Sequence, residues 1–144
     1  PCIAICKILF FISSGNFLLN VGPDELGNLP QAAVSRMDSI GAWLNVNGKA
    51  IYSTRPIAPY KQDGICYTQG KDGQIYALIL IDDSTALRKS YDIPAFDGMK
   101  KGSKKILGTK QKASLRYKNG AYTLNLNANF IKKNKERNAI VVEL

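Results

Sequence analysis

A chain of 144 residues without a single histidine has few ways to do chemistry. A nucleophile–histidine–acid triad, a histidine-held metal and an imidazole general base are all excluded, because no other unperturbed side chain supplies a ring nitrogen that titrates near neutral pH. Cys2, Cys6 and Cys66 remain as soft ligands or nucleophiles. They form no CxxC pair, and an odd, low count makes a poor metal cage or disulfide framework, so packed free thiols are expected. Acid/base hydrolysis by paired carboxylates needs two of them about 5 to 9 Å apart. Asp82-Asp83 are neighbours at an expected strand end, where turn formation accounts for them. Asp24-Glu25 precede an expected helix, whose dipole favours negative charge, so capping accounts for that pair. Gly15, Gly22 and Gly27 lie between an expected strand and helix, as in a nucleotide-binding loop, but fit neither GxGxxG nor GxxxxGKS/T. These residues call for no metal or cofactor.

Two further groups could recognise a ligand without reacting with it. Trp43, with Tyr52 nearby, could form an aromatic platform for a sugar ring, but Trp43 also borders an apolar helical stripe, and core packing is the favoured reading. The charge is strongly lopsided: residues 1–97 carry 8 basic and 9 acidic side chains, residues 98–144 carry 12 and 2. Lys100, Lys101, Lys104, Lys105, Lys110, Lys112, Lys132, Lys133, Lys135 and Arg137 could meet phosphates or an anionic glycan. Aromatic residues are sparse among these lysines along the chain, whereas nucleic-acid platforms interleave the two. A solvated basic face is therefore expected, with no nucleic-acid partner.

The elements that would position these residues follow from periodicity. Hydrophobic residues make up 45% and charged residues 22%, ordinary globular usage for a chain long enough to bury a core. Phe17-Leu18-Leu19-Asn20-Val21 is a short apolar run stopped by Gly22-Pro23-Asp24, which predicts a buried strand over about residues 15–21. Ala33, Val34, Met37, Ile40, Gly41 and Leu44 form one stripe at helical spacing. They predict a helix over about residues 30–46, with Pro30 in its first turn and Asn47-Gly48 as a left-handed stop. Pro56 and Pro59 then read as a connector, with a domain boundary near residues 53–60. Beyond it, residues 65–69 and 74–81 flank Gly70-Lys71-Asp72-Gly73, and residues 114–117 and 121–126 flank Lys118-Asn119-Gly120, two predicted hairpins. Ile140 to Leu144 is a closing strand, and strands of this kind separated by turns predict a β-sandwich. Residues 1–12 are apolar apart from Lys7, but they lack a basic leader and a clear small-residue cleavage site and are too short to span a bilayer. No membrane partner is expected, and a start at proline suggests a fragment or a processed chain.

Three runs carry a family likeness. Gly15-Asn16-Phe17-Leu18-Leu19-Asn20-Val21-Gly22-Pro23-Asp24, then Gly27 and Pro30, then the run from Ile40-Gly41-Ala42-Trp43-Leu44-Asn45 through Tyr52-Ser53-Thr54-Arg55-Pro56, closely resemble the α-L-fucosidase family. The likeness continues loosely through Ile65-Cys66-Tyr67-Thr68, Ile75-Tyr76-Ala77-Leu78, Ile106-Leu107-Gly108 and the closing strand, so it spans about residues 13–144. Residues 2–12 depart from it.

The resemblance implies a mainly β chain: a C-terminal antiparallel β-sandwich over residues 53–144, preceded by one strand and one helix of a (β/α)8-like barrel within residues 1–52. It implies a retaining exo-glycosidase releasing terminal α-L-fucose from a fucosylated glycan, in a secreted, periplasmic or lysosomal setting. The nucleophile, the acid/base residue and the pocket histidines would lie in the barrel upstream. No residue here matches a catalytic position, and Asn20, in a loop at the C-terminal end of a barrel strand, is the one candidate for the pocket rim. The chain alone is expected to be inactive and to need the missing barrel as its partner. A free-standing carbohydrate-binding sandwich is the alternative.

Overall fold

The strand residues sort into two antiparallel sheets of four, and the alternation of buried and exposed positions fixes which face of each looks inward. The computed structural model describes residues 15, 18–81, 86–134 and 138–144. Helix α1 spans Gln31–Asn47 and runs into a 3-10 turn at Gly48–Ala50. Strands β1 (Thr54–Gln62), β2 (Ile65–Gly70), β3 (Ile75–Leu80), β4 (Ser90–Ile93), β5 (Gly102–Lys105), β6 (Lys112–Lys118) and β7 (Ala121–Asn125) follow. The short helix α2 (Ala128–Lys133) and strand β8 (Ala139–Glu143) end the chain. The first sheet has the order β1-β2-β3-β8 and the second β4-β7-β6-β5.

The main core lies between the sheets. Ile65, Tyr67, Ala77, Ile79, Ile140 and Val142 from the first meet Tyr91, Ile93, Ala113, Leu115 and Leu124 from the second, with Phe130 of α2 among them. β3 is buried at every position because the first sheet is covered on its outer face too. There Cys66, Tyr76, Leu78, Leu80 and Val141 meet Ala50, Ile51, Leu107 and the C-terminal turns of α1 through Trp43 and Leu44. Covering both faces turns an alternating strand into a continuous apolar run, as in Ile75-Tyr76-Ala77-Leu78-Ile79-Leu80. Two buried threonines fasten this layer: Thr68 Oγ1 donates to the Ala50 carbonyl at 2.8 Å, and Thr54 Oγ1 to the Ala50 and Ile51 carbonyls at 3.2 and 3.0 Å.

The helix, both hairpins and the closing strand fall where periodicity placed them. Other expectations change. Residues 54–62 are not a free connector but β1, with a register shift between Pro56 and Lys61. Prolines fit because β1 is an edge strand, where a missing N–H costs no ladder bond. Gly48 is not left-handed; at φ −57° it continues the helix into the 3-10 turn. The position needs glycine for space, since a Cβ there would stand 2.9 Å from the Tyr52 ring. Pro30 precedes the first helical residue instead of occupying it, with φ −55° and ψ 132°. Of the strand expected over residues 15–21, Gly15 and residues 18–21 carry no sheet pairing, while residues 16 and 17 lie outside the described residues. An isolated apolar segment has no ladder to join, and the sandwich offers it none.

Candidate functional site

Asn20 is exposed and borders an open groove of about 260 Å³ between its own segment and the first turns of α1. The walls are Leu19, Val21, Pro30, Ala33 and Met37, with Arg36 as the charged member. No carboxylate lines it among the described residues, so the groove offers apolar contact and one guanidinium but no acid/base pair.

The acidic pair before α1 does different work from the expected cap. Asp24 folds its own loop: its Oδ1 accepts from the Leu26 N–H at 2.9 Å and the Asn28 N–H at 2.8 Å, and its Oδ2 accepts from Asn28 Nδ2 at 3.3 Å. The Asn28 backbone N–H foremost holds the carboxyl below its ordinary range, which suits a structural anion and not a proton donor. No side chain caps α1. Asp82-Asp83, Cys2, Cys6, Lys135 and Arg137 lie outside the described residues.

Trp43 and Tyr52 go separate ways. Trp43 is half-buried against the outer-face cluster of the first sheet, with its Nε1 buried and lacking a hydrogen-bond partner among the described residues. Tyr52 lies over Gly48 and is 59% exposed. Core packing, the favoured reading of Trp43, agrees with this placement. Cys66 is a buried free thiol pushed by burial up to about 11, which keeps it protonated and poorly nucleophilic at neutral pH. Among the described residues no three histidine, cysteine or acidic side chains gather to hold a metal, and no helix is long and apolar enough to cross a membrane.

Two surfaces emerge that the linear reading did not assemble. One is apolar. Leu18 is 83% and Leu26 82% exposed, and Leu19, Leu29 and Val46 are also open to solvent. Four of these side chains lie in the segment before α1, and Val46 lies in the last turn of α1 beside Gly108. The other surface is cationic. Lys112, Ser114, Arg116 and Lys118 alternate with inward-facing Ala113 and Leu115 along β6, and Lys105 of β5 stands directly opposite Lys112. The period of two was visible in Lys-x-Ser-x-Arg-x-Lys, but the cross-strand neighbours were not.

Comparison with known proteins bears on the apolar surface. A family model for α-L-fucosidase matches residues 5–49. Among curated proteins, an α-L-fucosidase of Branchiostoma floridae is 39% identical over 69 residues, covering 46% of this chain and 15% of its own length. One of Dictyostelium discoideum is 39% identical over 77 residues, 51% of this chain and 17% of its own. The matches thus span about a sixth of these relatives. Among solved structures, a GH29 α-L-fucosidase of Bacteroides thetaiotaomicron superposes on 100% of this chain and 31% of its own, with a TM-score of 0.75 at 22% identity. Isoenzyme 1 of Paenibacillus thiaminolyticus superposes on 99% of this chain and 33% of its own, with a TM-score of 0.76 at 23% identity. At that identity the structural likeness speaks for the fold alone.

Proposed function

We propose, from the premise that this chain belongs to the α-L-fucosidase family, that it is the noncatalytic C-terminal part of such an enzyme. Residues 53–144 form the accessory sandwich, and residues 1–52 carry the last strand and helix of a catalytic barrel. The observation that carries this reading is the exposed apolar surface of Leu18, Leu19, Leu26, Leu29 and Val46. Exposed apolar side chains gathered in one segment of a chain often mark a surface that another body covers. A barrel would supply what this segment lacks: strands to pair with residues 15–21, and helices to cover the open flank of α1.

The chemistry agrees. A retaining glycosidase needs a nucleophilic carboxylate and an acid/base carboxyl about 5 Å apart. The groove at Asn20 holds neither, and Asp24 is committed to its own loop. In the assembled enzyme Asn20 would sit at the mouth of the fucose pocket, while the two carboxylates came from the barrel. The sandwich holds α1 through Trp43, Leu44 and the Thr54–Ala50–Thr68 bonds, and so fixes the helix against the barrel wall.

The test is reassembly. The chain alone should bind a hydrophobic dye, and adding a separately produced barrel segment of a family member should displace the dye and form a one-to-one complex. Dye binding that the barrel leaves unchanged, with no complex by sedimentation, would contradict the proposal and favour a free-standing module.

A further inference from the structure

An open groove of about 390 Å³, within the range of small-molecule sites, lies where the 3-10 turn meets the β2–β3 hairpin. One wall is the turn and the residues after it, Lys49, Tyr52 and Ser53; the other is the hairpin tip, Lys71 and Asp72; Tyr76 lies at the floor. These groups share one side of the first sheet. Tyr76 belongs to the outer-face cluster, and Thr54 turns to the same face, where its Oγ1 reaches the Ala50 carbonyl. Gly70 is the cross-strand partner of Thr54, so a Cβ on it would point outward as well, and there it would collide with the Asp72 carboxylate. The carboxylate therefore lies over Gly70 on the outer face, across the groove from the turn. Burial foremost, then the Glu143 and Asp72 carboxylates, raise the Tyr76 phenol above its ordinary range, so it stays a proton donor at neutral pH.

Tyr52 supplies a ring with an open face. A Cβ on Gly48 would touch its Cδ2 and Cε2, both at 2.9 Å, and none of its other atoms, so the ring stands edge-on to the turn. At 59% exposure its face is left to solvent. Both walls are fixed before any ligand arrives. Thr54 and Thr68 hold the turn through the Ala50 carbonyl, and the hairpin tip is closed by Gly70 N–H donating to the Gln74 carbonyl at 2.8 Å and by Gln74 N–H donating to Asp72 Oδ1 at 3.1 Å. Such preorganisation lowers the ordering cost of binding.

We propose that this groove binds one neutral sugar unit of a glycan. The open face of Tyr52 takes the apolar face of the pyranose, the Asp72 carboxylate accepts from its hydroxyls, Lys49 and Lys71 donate to its oxygens, and the Tyr76 hydroxyl meets it from the floor. The mixed charge selects for neutrality. Lys49 and Lys71 oppose a cation, while Asp72, with Glu143 paired across from Tyr76, opposes a sulfate, a phosphate or a nucleic-acid backbone. A polyol carrying donors and acceptors together satisfies both kinds of group. The uncovered leucines precede α1, whereas this groove begins after it, so the proposal goes beyond the barrel reading and fails or stands separately from it.

The test titrates the whole chain with the methyl glycosides of glucose, galactose, mannose, N-acetylglucosamine and L-fucose, followed by backbone amide resonances. At least one should bind, with its shifts concentrated in residues 49–54 and 70–76, and with affinity changed by less than about twofold between about 50 and about 500 mM salt. Tyr52→Ala should weaken that binding at least about fivefold. Asp72→Asn, which keeps an oxygen for the Gln74 N–H, should weaken it about threefold or more. Tyr117→Ala, which removes another exposed ring, should stay within about twofold. Resonances outside the two stretches should be unchanged in Tyr52→Ala, which separates loss of the site from loss of the fold. Binding by none of the five glycosides, shifts centred elsewhere, equal loss in the two tyrosine variants, or tighter binding of a heparin-derived hexasaccharide at the same residues would each overturn the proposal.

Discussion

Leu78 and Leu26 are the same side chain in two regions, one fully buried between the first sheet and α1, the other 82% exposed before α1. The sandwich closes on itself: its inner faces fill one core, and the outer face of the first sheet is capped by the end of α1. Among the described residues, the segment before α1 and the helix's open flank have no such partner. The contrast separates a region buried on both faces from one left open, and it yields predictions in which equivalent apolar truncations have unequal costs.

The largest effect belongs to the closed region. Phe130, 1% exposed at the centre of the main core, should cost about 3–5 kcal/mol when truncated to alanine, read from urea unfolding. Next comes alkaline pH. The Cys66 thiol titrates near 9.0 when unperturbed and, because burial opposes the thiolate, near 11 in the folded chain. The folded state thus holds its proton more tightly, so stability is complete below pH 9 and falls by about 2 kcal/mol as pH rises toward 11. Burial raises Tyr67 and Tyr76 too, with the same sign. Cys66→Ala should remove the earliest part of that decline in denaturation curves taken across the window.

Gly108→Ala probes the seam between the regions. Gly108 has φ +71°, and a Cβ there would collide with Val46 of α1. A loss of about 1–3 kcal/mol is expected, with α1 loosened more than the sheets by hydrogen exchange. The smallest effect is Leu26→Ser, within about 0.5 kcal/mol in the chain alone. The same substitution should weaken assembly with a barrel segment, and a cost in the isolated chain comparable to Phe130→Ala would erase the contrast.

What could be read from sequence divides along physical lines. α1 and the β2–β3 and β6–β7 hairpins carry local periods and turn residues. Asn119-Gly120, both at positive φ, forms the tight two-residue loop its sequence announces. β1 was obscured by Pro56 and Pro59, although Asp63-Gly64, likewise both at positive φ, join it to β2 by the same kind of turn. β4 and β5 are four residues each, too short for a period to show, and α2 is a six-residue helix capped by Asn127 beside a run of lysines. The apolar run expected to be a strand over residues 15–21 shows no sheet pairing at Gly15 or residues 18–21, because a strand is fixed by its ladder partners and not by its own pattern. Asn20 was found through resemblance and has no geometry of its own that marks it. The facing of Lys105 and Lys112 escaped notice because they meet only through strand pairing.

The most direct test of the noncatalytic reading is turnover of an aryl α-L-fucoside by the purified 144-residue chain. No release of the aryl alcohol above the buffer rate is predicted at any pH from 4 to 8, because among the described residues no carboxylate lines the groove at Asn20. Turnover proportional to chain concentration, and lost when Asp24 is replaced by asparagine, would contradict it by placing a catalytic carboxylate in the loop assigned here a purely structural role.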